Sequence, residues 1–355
     1  MHVHYFLLIG FSWLSSCDAA IDPRVQLALT LNSSTKGIST IPDGRIFMVH
    51  GSSPQITEYN TSTGIQTIYP YTKLEYDASS PNSSDIKSTY VSLNAQRIGP
   101  DGNLWLIDTG GSPASMPWGP KIIVINITTN SVDRIYHMGN VTKTGSLLDD
   151  IRFGRPGSNR AYLTDAGIGA LITLDLATGQ AVRLLEGHES VEASFPASFQ
   201  GTLNRNMDGT VASAPAADDL EVTPDADYLL YQAASGNLWR IATKYLDQSL
   251  YNSSLATLLG DLTEDWAFTS STGGTAIDAD GTSYYSNFDR TSIDAVWANG
   301  TRFQYVQDDR LVFVDAMWVS TDQKLWMPMT METSNGTYAV YTMDIGVGPS
   351  PIDHA

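Results

Sequence analysis

Cysteine is almost absent from the chain, since Cys17 is the only one among 355 residues. A single thiol allows neither an internal disulfide nor a metal site built from cysteines, so we exclude both. Basic residues are also scarce, with 20 Lys and Arg against 38 Asp and Glu and a formal net charge of −18. A field of that sign repels nucleic acid and anionic membrane surfaces, and we expect neither as a partner.

Long apolar runs are also missing. The run at residues 5–14 is too short to span a bilayer, and small residues ending at Ala19 and Ala20 follow it. This pattern predicts a secretory signal over residues 1–20 and a secreted or secretory-pathway protein. The stretch from Leu14 to Cys17 also fits a bacterial lipobox, which would anchor the chain through Cys17.

Eight Asn-x-Ser/Thr sequons favour a secreted eukaryotic glycoprotein over a bacterial lipoprotein, because these sequons are acceptors for N-glycans. They stand at Asn32, Asn60, Asn82, Asn126, Asn140, Asn252, Asn299 and Asn335.

After the signal, one unit of short strands recurs along the chain. Each copy has a strand, a tight turn rich in Asp and Gly, a second strand and a hairpin, and the copies begin at residues 37, 94, 150, 219, 275 and 315. Repeated units of four short strands are typical of β-propeller blades. We therefore predict an all-β, six-bladed β-propeller over residues 21–345 and a flexible C-terminal tail over residues 346–355. Packed β-sandwiches or a β-helix would not produce six equivalent starts.

The sixth unit has only three strands before the Gly- and Pro-containing tail. The alternating stretch at residues 25–31 belongs to no unit of its own. We predict that this N-terminal strand supplies the missing outer strand and closes the ring.

The predicted fold places polar side chains at one mouth of the central channel, where variable loops over a rigid scaffold usually bind ligands. The starts of the inner strands bring Gly37, Asn94, Asp150, Asp219, Thr275 and Asp315 there. The ends of the second strands add His50, Asp108, Asp165, Asn287 and Met329.

Three interpretations of this ring of acids remain open. In the first, the acids are structural and accept backbone hydrogen bonds. In the second, a hard cation such as Ca²⁺ is held by Asn94, Asp150, Asp219 and Asp315. In the third, the crowded carboxyl groups act as general acid and base or bind an amine. No Ser-His-Asp arrangement forms around His50, which argues against a serine hydrolase. We expect no cofactor, with Ca²⁺ kept as the alternative.

We expect a small-molecule site and assign its residues accordingly. The predicted catalytic residues are Asp150, Asp219 and Asp315. The predicted ligand-binding residues are Asn94, Thr275, His50, Asp108, Asp165, Asn287 and Trp118.

Four groups of motifs, in order along the chain, resemble the yellow/major royal jelly protein family. They are Asp-Gly-Asn-Leu-Trp-Leu-Ile-Asp-Thr-Gly at 101–110, Asp-Asp-Ile-Arg-Phe at 149–153 with Ala-Tyr-Leu-Thr-Asp-Ala-Gly at 161–167, Gly-Gly-Thr-Ala-Ile-Asp-Ala-Asp-Gly at 273–281, and Asp-Ala-Met-Trp-Val at 315–319 with Leu-Trp-Met-Pro at 325–328. The resemblance implies a secreted six-bladed propeller with a ligand site at the channel mouth.

Members of that family include dopachrome-converting tautomerases, amine-binding proteins and nutrient or signalling proteins. Animal members usually carry disulfides, so this cysteine-poor chain is more similar to microbial relatives with roles in secondary metabolism. We expect an enzyme that isomerises, tautomerises or cyclises an aromatic or quinonoid metabolite. The alternatives are a carrier for an amine or aromatic metabolite and a metal-dependent lactonase or esterase.

Overall fold

The structure is a computed structural model that describes residues 20–70, 74–77, 79, 85–112 and 114–352. The predicted signal, apart from Ala20, therefore lies outside the described residues, and so do Cys17 and the sequon at Asn82. In the described part of the chain, no helix is long and apolar enough to cross a bilayer.

Six four-stranded antiparallel sheets follow one another along the chain, which confirms the predicted six-bladed β-propeller. The first strand, β1 (Gln26–Leu31), belongs to the last blade. From the inner to the outer strand, blade one is β2 (Gly37–Thr40), β3 (Arg45–Val49), β4 (Ile56–Asn60) and β5 (Ile65–Ile68). Blade two is β6 (Leu93–Ile98), β7 (Leu104–Asp108), β8 (Lys121–Asn126) and β9 (Ser131–His137). Blade three is β10 (Leu148–Phe153), β11 (Arg160–Asp165), β12 (Ala170–Asp175) and β13 (Ala181–Leu184).

A small two-stranded sheet, β14 (Ser198–Phe199) and β15 (Thr202–Leu203), precedes blade four. Blade four is β16 (Ala217–Val222), β17 (Tyr228–Ala233), β18 (Asn237–Ala242) and β19 (Glu264–Phe268). Blade five is β20 (Thr275–Ile277), β21 (Ser283–Asn287), β22 (Ser292–Val296) and β23 (Arg302–Gln307). Blade six is β24 (Trp318–Val319), β25 (Lys324–Pro328), β26 (Tyr338–Asp344) and the returning β1.

Burial differs from the inner to the outer strands of a blade. All six residues of β12 are buried, because neighbouring blades cover both faces of the middle strands. All four residues of β5 are exposed, as expected for an outer strand.

Pro-Asp-Gly turns join the first two strands of blades one and two, and each turn needs a residue with positive φ. Gly44 (φ 89°) and Gly102 (φ 72°) occupy those positions.

The N-terminal strand closes the ring as predicted. β1 pairs antiparallel with β26, with Leu31 opposite Tyr338, and so becomes the outer strand of blade six. On the inner side, neighbouring inner strands contact each other around the whole circle, including β24 with β2. The starts of these inner strands therefore converge on one axis.

Two segments differ from the simple repeat. In blade four, α1 (Thr243–Ser249), α2 (Ser253–Ala256) and a 3-10 turn (Leu259–Leu262) separate the third strand from the fourth. A second 3-10 turn covers Glu189–Val191.

The tail that we predict to be flexible packs on the propeller as far as it is described. Pro349 bridges to Asp278, Ala279 N donates to Gly348 O at 2.9 Å, and Ile352 is buried. The described part of the tail is therefore a packed segment.

The sequons at Asn60, Asn126 and Asn299 lie at the turns between the third and the outer strands of their blades. In each, the side-chain Oδ1 accepts the backbone N–H two residues later, at 2.9–3.0 Å. The outer position leaves room for a glycan at these turns.

Candidate functional site

A cavity of about 160 Å³ lies where the inner strands begin, and we call it the acid cavity. Five of its lining side chains are carboxyl groups, one is an ammonium, one is an amide and one is aromatic. The lining residues are Lys36, Asn94, Ala95, Asp149, Asp150, Asp218, Asp219, Gly273, Gly274, Phe313, Asp315 and Ala316. Of the predicted site residues, the structure brings Asn94, Asp150, Asp219 and Asp315 together here.

Irregular strand pairing explains why two consecutive acids reach the cavity from each of two blades. The register of β10 with β11 shifts between Leu148 and Ile151, and that of β16 with β17 shifts between Ala217 and Asp219. In a regular strand, neighbouring side chains point to opposite faces, whereas a bulge re-aims one of them. Asp149 and Asp218, which are not among the predicted site residues, therefore line the cavity together with Asp150 and Asp219. The Asp-Asp pair at the head of both strands is the signal that could have revealed them.

Several carboxyl groups of the acid cavity have raised pKa values. Burial, and then the neighbouring carboxylates, raise the pKa of Asp149, Asp218 and Asp219 well above the usual range. Burial also raises the pKa of Asp315 to about 7, although the N–H of Ala316 and the charge of Lys36 act in the opposite direction. The cavity thus retains protons at neutral pH while Asp315 titrates there.

A chain of hydrogen bonds connects the single cation to the acids. Lys36 Nζ donates to Asn94 Oδ1 at 3.1 Å, and Asn94 Nδ2 donates to Asp149 Oδ1. A hydrogen bond with Asp149 partly offsets the rise in the pKa of Asp218. Lys36 and Asn94 therefore orient Asp149 rather than neutralise the whole cluster.

Asp150 differs from the other cavity acids because it has a cationic partner. Its Oδ2 lies 2.6 Å from Nη1 of Arg152, which is fully buried and binds Glu221 through two further bonds of 2.8 and 2.7 Å. Thr275 donates its hydroxyl hydrogen to Glu221 at 2.9 Å and does not line the cavity. Asp150 and Thr275 thus belong to a buried polar layer that supports the site.

Asp219 is the least satisfied of the cavity acids. It is 6% exposed, and its Oδ2 has no hydrogen-bond partner among the described residues. A buried carboxyl oxygen without a partner is costly, which is one reason for retaining a proton on it.

The predicted binding residues at the ends of second strands do not line the acid cavity. Asp108 forms a buried pair with Lys121 at 2.7 Å and accepts the N–H groups of Val91 and Ser92, just before β6. Asp165 pairs with Arg183 at 2.7 Å and accepts the N–H of Leu147, just before β10. For these two acids the structural interpretation applies, because they fix the loops that lead into the inner strands.

His50, Asn287 and Trp118 also lie away from the cavity. The ring of His50 is buried between the Ser34 carbonyl (2.8 Å) and the Thr57 hydroxyl (2.7 Å), and burial lowers its pKa. Asn287 donates to Asp294 at 3.0 Å. Trp118 is 40% exposed and packs edge-on against His137, beside the outer strand β9. The second strands do reach the predicted face, but at a larger distance from the channel axis.

The donors around the cavity do not fit a metal site. Among the described residues, no group of three His, Cys, Asp or Glu is placed to hold a metal ion. Two of the four residues that the Ca²⁺ alternative requires already bind a cation, since Arg152 pairs with Asp150 and Lys36 donates to Asn94. Blade one contributes Gly37, which has no side-chain oxygen.

An aromatic pair borders the cavity. Phe313 lines it and stacks on Phe288 with ring centroids 3.8 Å apart, and Phe199 of the β14–β15 hairpin lies 6.2 Å from Phe313. Gly273 allows this close approach, because a Cβ at that position would lie 2.6 Å from the Phe288 ring.

Comparisons with known proteins agree with this architecture. The sequence model described as Major royal jelly protein matches residues 92–337. Among curated proteins, no sequence matches the chain significantly.

Solved structures share the fold at low sequence identity. A luciferin-regenerating enzyme is 11% identical with a TM-score of 0.55, and the match covers 92% of this chain and 96% of that one. Virginiamycin B lyase from Staphylococcus aureus is 13% identical with a TM-score of 0.54 over 90% and 99% of the two chains. Regucalcin, a calcium-binding protein from Agrobacterium tumefaciens, is 11% identical with a TM-score of 0.54 over 91% and 95%. These matches support the fold and assign no reaction.

Proposed function

Because the chain belongs to the major royal jelly protein family, we propose that it is an enzyme that isomerises or tautomerises a small aromatic or quinonoid metabolite in the acid cavity. One observation carries the proposal. Asp315, whose pKa is raised to about 7, faces the same cavity as Asp149, Asp218 and Asp219, whose pKa values lie well above the usual range. A base that titrates near neutral pH beside groups that retain protons suits proton transfer in both directions.

The proposed reaction moves one proton within the substrate. Ionised Asp315 takes a proton from a carbon next to a carbonyl, and the electron pair of that C–H bond shifts into the conjugated system. Protonated Asp218 gives its proton to the carbonyl oxygen, where negative charge develops. Lys36 adds the positive charge of an ammonium group to the cavity lining. Proton exchange between the two acids restores the starting state, so no oxidant or reductant is consumed.

The size and lining of the cavity favour a small flat substrate. Its volume of about 160 Å³ is below the roughly 300–1,000 Å³ of pockets for drug-sized ligands. The ring of Phe313, stacked on Phe288, offers an aromatic wall, and Gly273 and Gly274 add no side chain to the lining. One or two fused rings match these dimensions.

The geometry favours different roles for the predicted catalytic acids. Asp315 is the proposed base, and Asp218 and Asp219 are the proton-bearing groups. Asp150, which is paired with Arg152, is a supporting residue.

The test uses dopachrome as the quinonoid probe and follows its conversion by absorbance. We expect Asp315→Asn to reduce kcat/KM by about 10²–10⁴-fold, the usual contribution of a general base. We also expect the limb of the pH profile near pH 7 to disappear in this variant. Asp133→Asn, which changes an exposed acid on β9, is the matched control and should keep full activity. Full turnover by a folded Asp315→Asn variant would refute the mechanism.

A non-catalytic carrier for an aromatic amine is the second candidate, and the same protonated acids favour it. An ammonium group in the cavity would stabilise ionised carboxylates, so binding would release protons. Calorimetry with tyramine should then give binding enthalpies that depend on the ionisation enthalpy of the buffer. Tight binding without product after prolonged incubation would favour the carrier over the enzyme.

We further propose that the protein is exported and glycosylated. The support is the signal-like N-terminus and the turn positions of Asn60, Asn126 and Asn299. When a eukaryotic host expresses the chain with its own leader, we expect it in the medium with a mass that falls on treatment with an N-glycosidase. A chain of unmodified mass retained inside the cells would contradict this proposal.

A further inference from the structure

Residues 20–25 lie against the turn that follows β23, and we call this contact the N-terminal latch. Ala20 N donates to Asp309 Oδ2 at 2.9 Å, and Asp309 N donates to Ala20 O at 2.8 Å. Next to it, Asp22 N donates to Asp308 Oδ2 at 2.9 Å. The latch stands immediately before β1, the strand that closes the ring.

The two acids of the latch differ in their charge balance. Arg310 pairs with buried Asp308 at 2.6 Å and also donates to the carbonyl of Val25 at 2.9 Å. Asp309 forms no ion pair with any Lys, Arg or His in the described part of the chain. Its other side-chain contact is the Thr291 hydroxyl at 3.4 Å. Asp309 is therefore a carboxyl group that holds a backbone nitrogen and has no cationic partner among the described residues.

The sequence before Ala20 adds an independent reason to expect a cation there. Leader cleavage follows a pattern with small residues at the first and third positions before the cut. A cut after Ala19 places Ala19 and Cys17 at those positions, whereas a cut after Ala20 would place the charged Asp18 at the third. The preferred cut therefore lies one residue before the predicted end of the signal at residue 20.

We propose that a leader peptidase cuts the chain between Ala19 and Ala20, and that the new α-ammonium group of Ala20 binds the carboxylate of Asp309. Hydrolysis consumes one water; Ala19 keeps the carboxylate, and the released amine of Ala20 takes up a proton. The existing N–H···O contact becomes a charge-assisted hydrogen bond, which is the stronger kind. Processing thereby anchors the strand that closes the propeller. A cut after Ala20 would remove both bonds to Asp309.

The first test identifies the mature N-terminus. The full chain with its own leader is expressed in a eukaryotic secretory host, its glycans are removed, and its intact mass and N-terminal sequence are determined. We expect the chain to begin at Ala20. A start at Ile21, a lipid-bearing start at Cys17 or retention of the leader would each overturn the proposal. The result does not depend on catalysis, so it is independent of the proposed reaction.

The second test asks whether the ammonium group binds Asp309. Its pKa is measured by NMR after isotopic labelling of the N-terminus. We expect a value above the roughly 7.7–8.0 of free α-amino groups, and a return to that range in Asp309→Asn but not in Asp133→Asn. The other charged groups at the latch are Asp22, Arg24, Asp308 and Arg310, and none of them is altered by these variants.

The same pairing predicts the pH dependence of stability. An amine whose pKa is higher in the folded than in the unfolded state stabilises the folded protein. This stabilisation is complete below the unfolded pKa and is lost as the pH rises through the folded pKa. The difference in Tm between the mature protein and Asp309→Asn should therefore be largest near pH 7 and vanish at alkaline pH. A normal α-amino pKa and a Tm difference that is independent of pH would show that Asp309 contacts only the backbone.

Discussion

The acid cavity and the ends of the second strands are both rich in carboxylates, but they differ in whether each acid has a cation. Asp108 has Lys121 and Asp165 has Arg183. The cavity is lined by five carboxyl groups and one ammonium, that of Lys36, and of the five only Asp150 pairs with an arginine, which it shares with Glu221. Both sets lie largely in the interior, so burial alone does not distinguish an acid that supports the fold from one that performs chemistry.

The pKa shifts follow this difference. Burial alone would raise the pKa of Asp165, but hydrogen bonds from Ser146, Arg183 and Leu147 lower it overall. In the cavity, burial and neighbouring carboxylates act in the same direction and raise the pKa of Asp149 and Asp218. The surroundings of Asp165 thus favour its ionised form, whereas those of Asp149 and Asp218 favour the protonated form.

The largest effect should come from breaking a paired acid. Asp108→Ala leaves the fully buried ammonium of Lys121 without its partner, and we expect a loss of about 3–5 kcal/mol in the free energy of unfolding, measured by urea denaturation. The control is Arg155→Ala, which removes an exposed pair with Asp227 and should cost at most about 1 kcal/mol. Equal losses from the two variants would contradict the comparison.

A second prediction is that an acid with a raised pKa and an acid with a lowered pKa give stability opposite dependences on pH. Asp315 has a raised pKa of about 7, so its contribution is present below the unfolded pKa near 3.8 and is lost as the pH rises towards 7. Asp175 ends β12, and hydrogen bonds from Tyr251, Thr178 and Ala177, followed by the charge of Arg160, lower its pKa to about 2. Its contribution is present above the unfolded pKa and is lost as the pH falls towards 2.

Thermal unfolding between pH 2 and pH 8 checks this prediction with two variants. Asp315→Asn should flatten the decline in Tm between about pH 4 and pH 7, and Asp175→Asn should flatten the decline below about pH 4. A flattening by both variants in the same pH range would argue against separate roles.

The smallest expected effect is a gain in stability within the cavity. Asp218→Asn replaces a carboxyl group that is costly to ionise beside its neighbours with a neutral amide of the same size. We expect the free energy of unfolding at pH 8 to rise by about 0.5–2 kcal/mol, while activity falls, as in other sites where function costs stability. Asp108→Asn makes the same chemical change at an acid that is paired with Lys121, so it is the matched control and should lower stability.

Much of the architecture could be predicted from the sequence, because strand alternation and Asp-Gly turns are local patterns that repeat. The six blades and the closing strand follow from these patterns. The helices at Thr243–Ser249 and Ser253–Ala256 do not, because they interrupt a single blade and have no counterpart in the others.

The site was less predictable, for two physical reasons. Alternation would send only one residue of Asp149–Asp150 inwards, and the bulge that brings both to the cavity has no clear signature in a single strand. Distance from the channel axis is also not encoded in the repeat. Asp108 and Asp165 therefore share the predicted face with Asp219 but cap loops farther out.

The pairing of β1 with β26 also has a consequence for the order of folding. During synthesis, blades one to five can form as soon as their own strands leave the ribosome, since the contacts within each blade are local. Blade six must wait for β26, although β1 emerged first, so β1 spends most of translation without its partner. Closing this long loop is the slow, entropically costly step. A chain truncated just before Tyr338 should therefore leave β1 and an edge of β25 unpaired and aggregate, however complete its first five blades are.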